Sequence, residues 1–409
     1  MSFYKKTILK FLQPMQKGYL KIILPDNTVL ELGKPNEQKT QGEIGFEADV
    51  HIHNEAFFKR AFFYGDIGFA EAYMEQEWTT SDLTKLISWF LLNIENSPTL
   101  SGSKVQSMAL NAFQFVNKVF HRKRNNSMNG SKKNISEHYD LSNEFFSLFL
   151  DGSMTYSSAY FNNPEHDLEN AQYAKYESLC QQAKLKVGDH VLEIGTGWGG
   201  FAIYAAEKYK CQITSVTISK QQFDFAKERI KSAGLENKID VQLKDYRLIE
   251  GKFDKVISIE MIEAVGAKYL STYFDKIHAL LKPEGVLAIQ VIICPDSRFD
   301  ELKNNVDFIQ KYIFPGSLLP SIAAINKAVN ETGDMFMVGL KDLGKSYVKT
   351  LAEWKLRFNQ NLDKVQQLGF DDQFIRKWNY YFSYCEAAFN MRNINVVQMV
   401  YTRPNNSSF

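Results

Sequence analysis

Four glycines within six residues, Gly195, Gly197, Gly199 and Gly200, stand between an apolar strand pattern and an apolar helix pattern. Val191, Leu192 and Ile194 form the short apolar run of a buried parallel strand, with Glu193 near its end. Phe201, Ile203, Tyr204 and Ala205 follow with helical spacing. Strand, glycine turn and helix make a nucleotide-binding opening, because glycine lets the backbone turn tightly and lets a ligand approach closely. The spacing is G-x-G-x-G, not the G-x-G-x-x-G of dinucleotide sites, and the Lys-Ser/Thr of a phosphate-cradling loop is missing. By itself the stretch also suits a glycine turn in another doubly wound fold.

The residues downstream narrow this. Strand patterns at 212–218, 239–244, 253–259 and 286–293 alternate with helix patterns at 220–233 and 269–281, and a last strand pattern covers 396–402. Such alternation predicts a parallel sheet with right-handed crossovers. Ligands in these sheets lie at the carboxyl ends of the strands, so residues 195–199, 217–222, 245–247, 260–263 and 290–292 are expected to converge on one cleft. Residues 295–330 interrupt the alternation with an apolar insertion, and 346–368 and 372–390 read as helices. Two readings of these segments stay open: a lid over an apolar substrate, or a helical cover packed on the sheet. The expected fold class is α/β, a Rossmann-like sheet with helical lid insertions, joined to a small N-terminal α+β domain.

A chain of 409 residues is long for one domain. Residues 1–95 read as the α+β domain: a basic amphipathic helix at 2–15, a hairpin at 18–33 turning at Pro25-Asp26-Asn27, a strand at 48–52, a helix capped by Asn54, and a long helix capped by Ser81. The first helix either packs on its own domain, the favoured reading, or touches an anionic membrane. Residues 96–135 read as a linker with one helix and a basic strip (Lys118, Arg122, Lys123, Arg124, Lys132, Lys133). Each such cation near a phospholipid surface contributes about 1 kcal/mol. The catalytic domain is expected at 136–409. The net charge of +1 offers no excess for nucleic acid. Four cysteines, far apart and without nearby histidines, argue against zinc or a disulfide framework and for a reducing cytosol, and no metal is expected. Neither a signal peptide nor a run of about 18 apolar residues is read in the chain.

An acidic residue ahead of G-x-G-x-G resembles the first motif of S-adenosylmethionine-dependent methyltransferases. The wider order of segments resembles the cyclopropane-fatty-acyl-phospholipid synthase family, which includes the mycolic acid cyclopropane synthases. It runs from His138-Tyr139-Asp140-Leu141 through Tyr156-Ser157-Ser158-Ala159-Tyr160, Glu193–Gly200, Val216-Thr217-Ile218-Ser219 with Gln222, Asp245-Tyr246-Arg247 and Glu260–Gly266 to Tyr312-Ile313-Phe314-Pro315-Gly316 and Leu319-Pro320-Ser321.

The resemblance implies roles. Glu193, Gly195 and Gly197 would cradle the methionine end of the cofactor. Thr217 and Gln222 stand where other methyltransferases place a ribose-binding acid. Asp245 would accept from the adenine amine with Tyr246 and Arg247 beside the ring, and Tyr156 and Ser157 would close over the cofactor. In the family an acyl double bond attacks the sulfonium methyl, and a bound bicarbonate then removes a proton from the carbocation. That anion is held by a Cys, a Glu, a His, an Ile backbone group and a Tyr. Here Glu263, Ile292 and Tyr347 match, but Ser158 replaces the Cys and Gln290 the His, Ala264 follows Glu263 where the family has His, and Thr196 replaces the Cys of G-C-G-W-G. Serine and glutamine still donate to an anion, so bicarbonate is retained as a candidate cofactor.

The leading expectation is therefore methylene transfer to a cis double bond in a membrane phospholipid, forming a cyclopropane, by a cytoplasmic enzyme peripheral on the inner face of the membrane. A homodimer is admitted and nucleic acid is not. The departures also match a branch associated with methyl- or methylene-branched acids, in which the cation shifts a hydride and loses a different proton. Methylation of a nucleobase or amine, and a lipid-binding protein with a relic cofactor fold, are the more distant alternatives.

Overall fold

The computed structural model describes residues 2–35, 46–93 and 141–409. The expected linker at 96–135 and the segment His138-Tyr139-Asp140 lie outside the described residues. The chain divides into two compact units, one of residues 1–123, 305–313 and 362–393, the other of residues 124–304, 314–361 and 394–409.

The first unit holds a four-stranded sheet in the order β2-β1-β3-β4, with β1 Tyr19–Ile23, β2 Val29–Gly33, β3 Glu47–Ile52 and β4 Trp78–Thr79. β1 and β2 pair antiparallel as the expected hairpin, and Asp26 accepts from the Thr28 amide at 3.0 Å across its turn. β4 has two residues, too few to show a period. The helix Ala56–Met74 turns at Gly65 (φ 57°, ψ −129°), a conformation open to glycine, so two helical pieces, the second read from the sequence at 69–75, run on across a kink. The next helix, Leu83–Leu92, begins later than expected. Asp82, not Ser81, caps it by accepting from the Lys85 amide, and Ser81 bonds Asp49 instead.

The sequence reading assigned residues 305–313 and 362–393 to the catalytic part. They belong to the first unit, and the reason is aromatic packing. Phe308 stacks edge-on to Tyr380 at 4.7 Å, Tyr73 lies 5.9 Å from Tyr380, and Trp378 is buried. Polar bonds fix the register: Arg376 Nε donates to the Met74 carbonyl at 2.7 Å and Thr84 donates to Glu386 at 3.0 Å.

The second unit is built on a seven-stranded sheet in the order β10-β11-β9-β8-β5-β6-β7. Its strands are β5 His190–Ile194, β6 Gln212–Thr217, β7 Ile239–Leu243, β8 Phe253–Ile259, β9 Leu281–Ile293, β10 Phe336–Asp342 and β11 Asn395–Thr402. β5 to β9 are mutually parallel, while β11 runs antiparallel to β9, and β10 antiparallel to β11. Successive side chains point to opposite faces. Leu192, Val256 and Ile289 pack with Tyr273, Phe274 and Ile277 of the helix Leu270–Leu280 on one face. Val191, Ile213 and Ile257 pack with Leu179 and Phe201 of the helices Leu168–Gln182 and Gly200–Tyr209 on the other. Burial on both faces is why these strands read as unbroken apolar runs. β10 was not anticipated: it is an edge strand whose Phe336, Met337 and Val338 are exposed, so it lacks the in–out alternation. The long helix expected at 346–368 breaks at Asn361 into Gly344–Gln360 and Leu362–Gln367. From β5 the chain winds to β6 and β7 on one side, then returns to β8 on the other, so the strand order reverses beside β5 and a crevice opens there.

Candidate active site

The glycine turn lies at this crevice. Gly195, Gly197 and Gly199 all have positive φ, and the Gly195 and Thr196 amides both donate to the Val216 carbonyl, at 3.0 and 3.1 Å. A methyl group built on Gly197 would meet nothing within 4 Å, so the backbone there is open to a ligand's close approach. Glu193 lies beneath, 2 % exposed, where the Ser215 hydroxyl bridges it to Thr196. Burial pushes the Glu193 carboxyl up to about 8. At the end of β6, Thr217 donates to Gln222 Oε1 at 3.0 Å and accepts from the Ser219 amide at 3.1 Å. Asp245 is clasped by Arg247 through Nε at 2.8 Å and Nη2 at 2.7 Å, so both its oxygens already have donors. Arg247 also lies over the rings of Tyr246 and Tyr269.

Tyr156 stands in an aromatic group, with Trp354 at 5.2 Å, Phe146 at 5.3 Å, and Phe149 and Phe314 both at 6.1 Å. Ser157 is tied to the helix Leu168–Gln182. Its hydroxyl accepts from Lys175 Nζ at 2.7 Å and its carbonyl from Gln172 at 3.0 Å. Trp354 lies edge-on to Tyr347 at 6.0 Å, and this contact leads from the rings to a pair of carboxyls, one buried and one partly buried.

The pair is Glu260 and Glu263, just after β8. Glu260 Oε1 accepts from the Ser158 amide at 2.8 Å and from Gln290 Nε2 at 2.8 Å, and Oε2 accepts from the Tyr347 hydroxyl at 3.0 Å. Its φ of 48° lies in the left-handed region, a strain of about 1–3 kcal/mol that persists where surrounding contacts over-determine it. Glu263 accepts from the Ile292 amide at 2.5 Å through Oε1, while Oε2 is buried with no hydrogen-bond partner among the described residues. Burial, then the neighbouring Glu260 charge, push the Glu263 carboxyl up to about 8. Burial raises Glu260 too, opposed by the Gln290 bond, the Lys175 charge, the Ser158 amide and Tyr347. Lys175 is fully buried, and desolvation holds its ammonium well below the usual lysine range.

Of the residues the sequence singled out, Ser158, Gln290 and Tyr347 meet on Glu260, and Glu263 meets Ile292. Glu260 and Lys175 were given no role. Lys175 had a signal: with Leu168, Ala171, Gln172, Tyr176 and Leu179 it shares the buried face of its helix, and lysine on such a face needs a reason.

Comparison with known proteins decides the family. Residues 126–399 match the family model described as mycolic acid cyclopropane synthetase. The chain belongs to this family. A tuberculostearic acid methyltransferase of Mycobacterium tuberculosis is 37 % identical over 366 residues, covering 87 % of this chain and 83 % of that protein. The cyclopropane-fatty-acyl-phospholipid synthase of Escherichia coli is 35 % identical over 362 residues, covering 87 % and 88 %. Among solved structures, a mycolic acid cyclopropane synthase complexed with SAH superposes with a TM-score of 0.62 at 28 % identity, covering 66 % of this chain and 98 % of that one. As a member of the mycolic acid cyclopropane synthetase family with a Rossmann-like sheet, the chain is an S-adenosylmethionine-dependent transferase. The open backbone at Gly197 and the crevice beside β5 fit that cofactor.

Proposed function

We propose that this enzyme adds the methyl carbon of S-adenosylmethionine to the cis double bond of an unsaturated phospholipid acyl chain and closes a cyclopropane ring. The observation that carries the reading is the carboxyl pair, with one buried oxygen that has no partner among the described residues, adjoining the ring group of Tyr156, Phe146, Phe149 and Trp354. When bound, the cofactor supplies an electrophilic methyl on a sulfonium. The alkene's π electrons form the new carbon–carbon bond, the methyl–sulfur pair stays on sulfur, and the acyl chain is left with a cation. Aromatic faces stabilise such a cation and exclude water that would quench it. Loss of one proton from the added methyl lets the freed electron pair close the ring. Thr217 and Gln222 would bind the cofactor, with Tyr246 and Arg247 at its adenine. Asp245 would hold Arg247 and accept from the adenine amine through Oδ2, which takes only Arg247 Nη2 and keeps a lone pair.

A second product has an observation in its favour: the relative named a tuberculostearic acid methyltransferase covers as much of this chain as the cyclopropane synthase does. There a hydride shift would move the cation before a proton leaves, giving a branched chain. The deciding experiment incubates the enzyme with S-adenosylmethionine and vesicles of monounsaturated phospholipid, then analyses the fatty esters by mass spectrometry. A ring is expected; an exocyclic methylene with no ring would transfer the assignment to the branched product.

A bilayer substrate calls for membrane contact, and no described helix is long and apolar enough to cross a membrane. We assign that contact to the helix Phe3–Leu12, on which Phe3 is 69 % exposed. Lys5 takes no part, because it is buried against Glu55 at 2.8 Å and Asp26 at 3.5 Å. Flotation with anionic vesicles, lost on Phe3→Ser, tests this.

A further inference from the structure

Of the five residues aligned with the family's bicarbonate ligands, all but Glu263 have their donors already engaged. The Ser158 hydroxyl donates to the Ala159 carbonyl at 2.9 Å. The two Gln290 amide hydrogens go to Glu260 at 2.8 Å and to the Ser158 carbonyl at 3.0 Å. Gln290 cannot turn its amide over, because its oxygen accepts from Gln398 Nε2 at 3.0 Å, and the two residues face each other across β9 and β11. Gln398 is fixed in turn by Ser178 at 2.7 Å and Gln182 at 2.5 Å. The Ile292 amide serves Glu263, and the Tyr347 hydroxyl serves Glu260. An added bicarbonate would also lie against the Glu260 carboxylate, and like charges at such range repel. The residues present do not fit that anion.

A carboxylate of the chain fills its place. Ser158, Gln290 and Tyr347, three of the five expected ligands, converge on a carboxylate that the chain itself supplies at position 260. We infer that this enzyme works without bicarbonate: the Glu260 carboxylate occupies the anion site as a fixed counter-charge to the cation, and the free oxygen of Glu263 receives the proton. The inference rests on the acyl-transfer reading above. The step balances within the site. A carbon–hydrogen bond of the added methyl breaks, the proton goes to Glu263 Oε2, and the electron pair forms the third side of the ring. Glu263 then returns the proton to solvent before the next turnover. Histidine in place of Gln290 would donate one hydrogen through each ring nitrogen at most and could not make the amide's paired donation to Glu260 and Ser158. The Gln290 substitution and the use of Glu260 thus belong together.

The test runs the full-length enzyme in buffer stripped of carbon dioxide under argon, with S-adenosylmethionine and monounsaturated phospholipid vesicles, with and without added sodium bicarbonate. An unchanged rate is expected; a rate that collapses without bicarbonate and returns with it overturns the inference while leaving the acyl-transfer reading intact. A second readout needs no turnover. The NMR line of 13C-bicarbonate is recorded with the wild type and with Glu260→Ala, each saturated with S-adenosylhomocysteine. Binding by the variant alone supports the inference, and binding by the wild type overturns it, even if the vesicles prove to be the wrong substrate. Glu260→Ala is expected to lose on the order of a hundredfold or more in rate, with part of it recovered by added formate. Should that variant not bind S-adenosylhomocysteine, the two wild-type measurements still decide.

Discussion

Removing one hydroxyl tests how the carboxyl pair is held. Tyr347 is 6 % exposed, lies edge-on to Trp354 at 6.0 Å and donates to Glu260 Oε2 at 3.0 Å. Tyr347→Phe keeps the ring and its packing and deletes that donor. A hydrogen bond to a charged group contributes about 1.5–3 kcal/mol. If the bond is felt fully in the transition state, at about 1.4 kcal/mol per tenfold the rate should fall by roughly ten- to a hundredfold. Glu260 retains the Ser158 amide and Gln290, so the loss should stay short of that for removing the carboxylate. The ionised form of Glu260 loses support, so its carboxyl should be held still further above the usual range. The assay is kcat and kcat/KM on monounsaturated phospholipid vesicles across pH, with S-adenosylhomocysteine affinity by calorimetry and the melting midpoint as controls. The affinity and the midpoint should stay near wild type. A rate within twofold of wild type would refute the role given to Tyr347, and a loss carried wholly by cofactor affinity would put the residue in the wrong site.

Other outcomes follow from the same geometry. Glu263→Gln keeps the shape of the side chain and should abolish turnover, by about a hundredfold or more, while calorimetry shows cofactor affinity little changed. Because Glu263 must be ionised to accept a proton and sits at about 8 in the free enzyme, kcat/KM should climb as pH rises through that value, and a flat profile from pH 6 to 9 would contradict it. Stability should run the other way. Glu193 and Glu263 are raised above the unfolded range, so their contribution is complete below the ordinary glutamate pKa and is lost as pH rises through about 8, which thermal melts across pH would register. Gly197→Ala should cost about 1–2 kcal/mol of stability for its φ of 51°, leave the fold intact because the new methyl meets nothing, and weaken cofactor binding far more than it weakens the fold.

The sheet was legible where both faces of a strand are buried, as in β5, β6, β8 and β9, because continuous apolar runs separated by helix periods leave few alternatives. β10 escaped because an exposed edge carries no such run. Helical character was plain in residues 372–390, but an amphipathic face does not name its partner, and the rings of Tyr73 and Phe308 that claim it are remote in the chain. At the site, the residues of interest were read from motif positions, and the structure brings Ser158, Gln290 and Tyr347 onto one carboxylate. That the carboxylate is Glu260 could not be read from spacing. It depends on a left-handed backbone at a residue that is not glycine, and on an amide whose orientation is set by Gln398, over a hundred residues away.

The division of the chain has a consequence for its synthesis. The backbone passes from one unit to the other between residues 93 and 141, and after residues 304, 313, 361 and 393. Domains are commonly completed from the N-terminus as the ribosome releases them, but here the first unit cannot close when its opening portion emerges. It must wait for the helix Asp372–Asn390, made almost three hundred residues after Trp89 has left the tunnel. The sheet waits longer still, since β11 lies between β9 and β10 and is made after both. For most of translation this polypeptide therefore carries two unfinished cores at once.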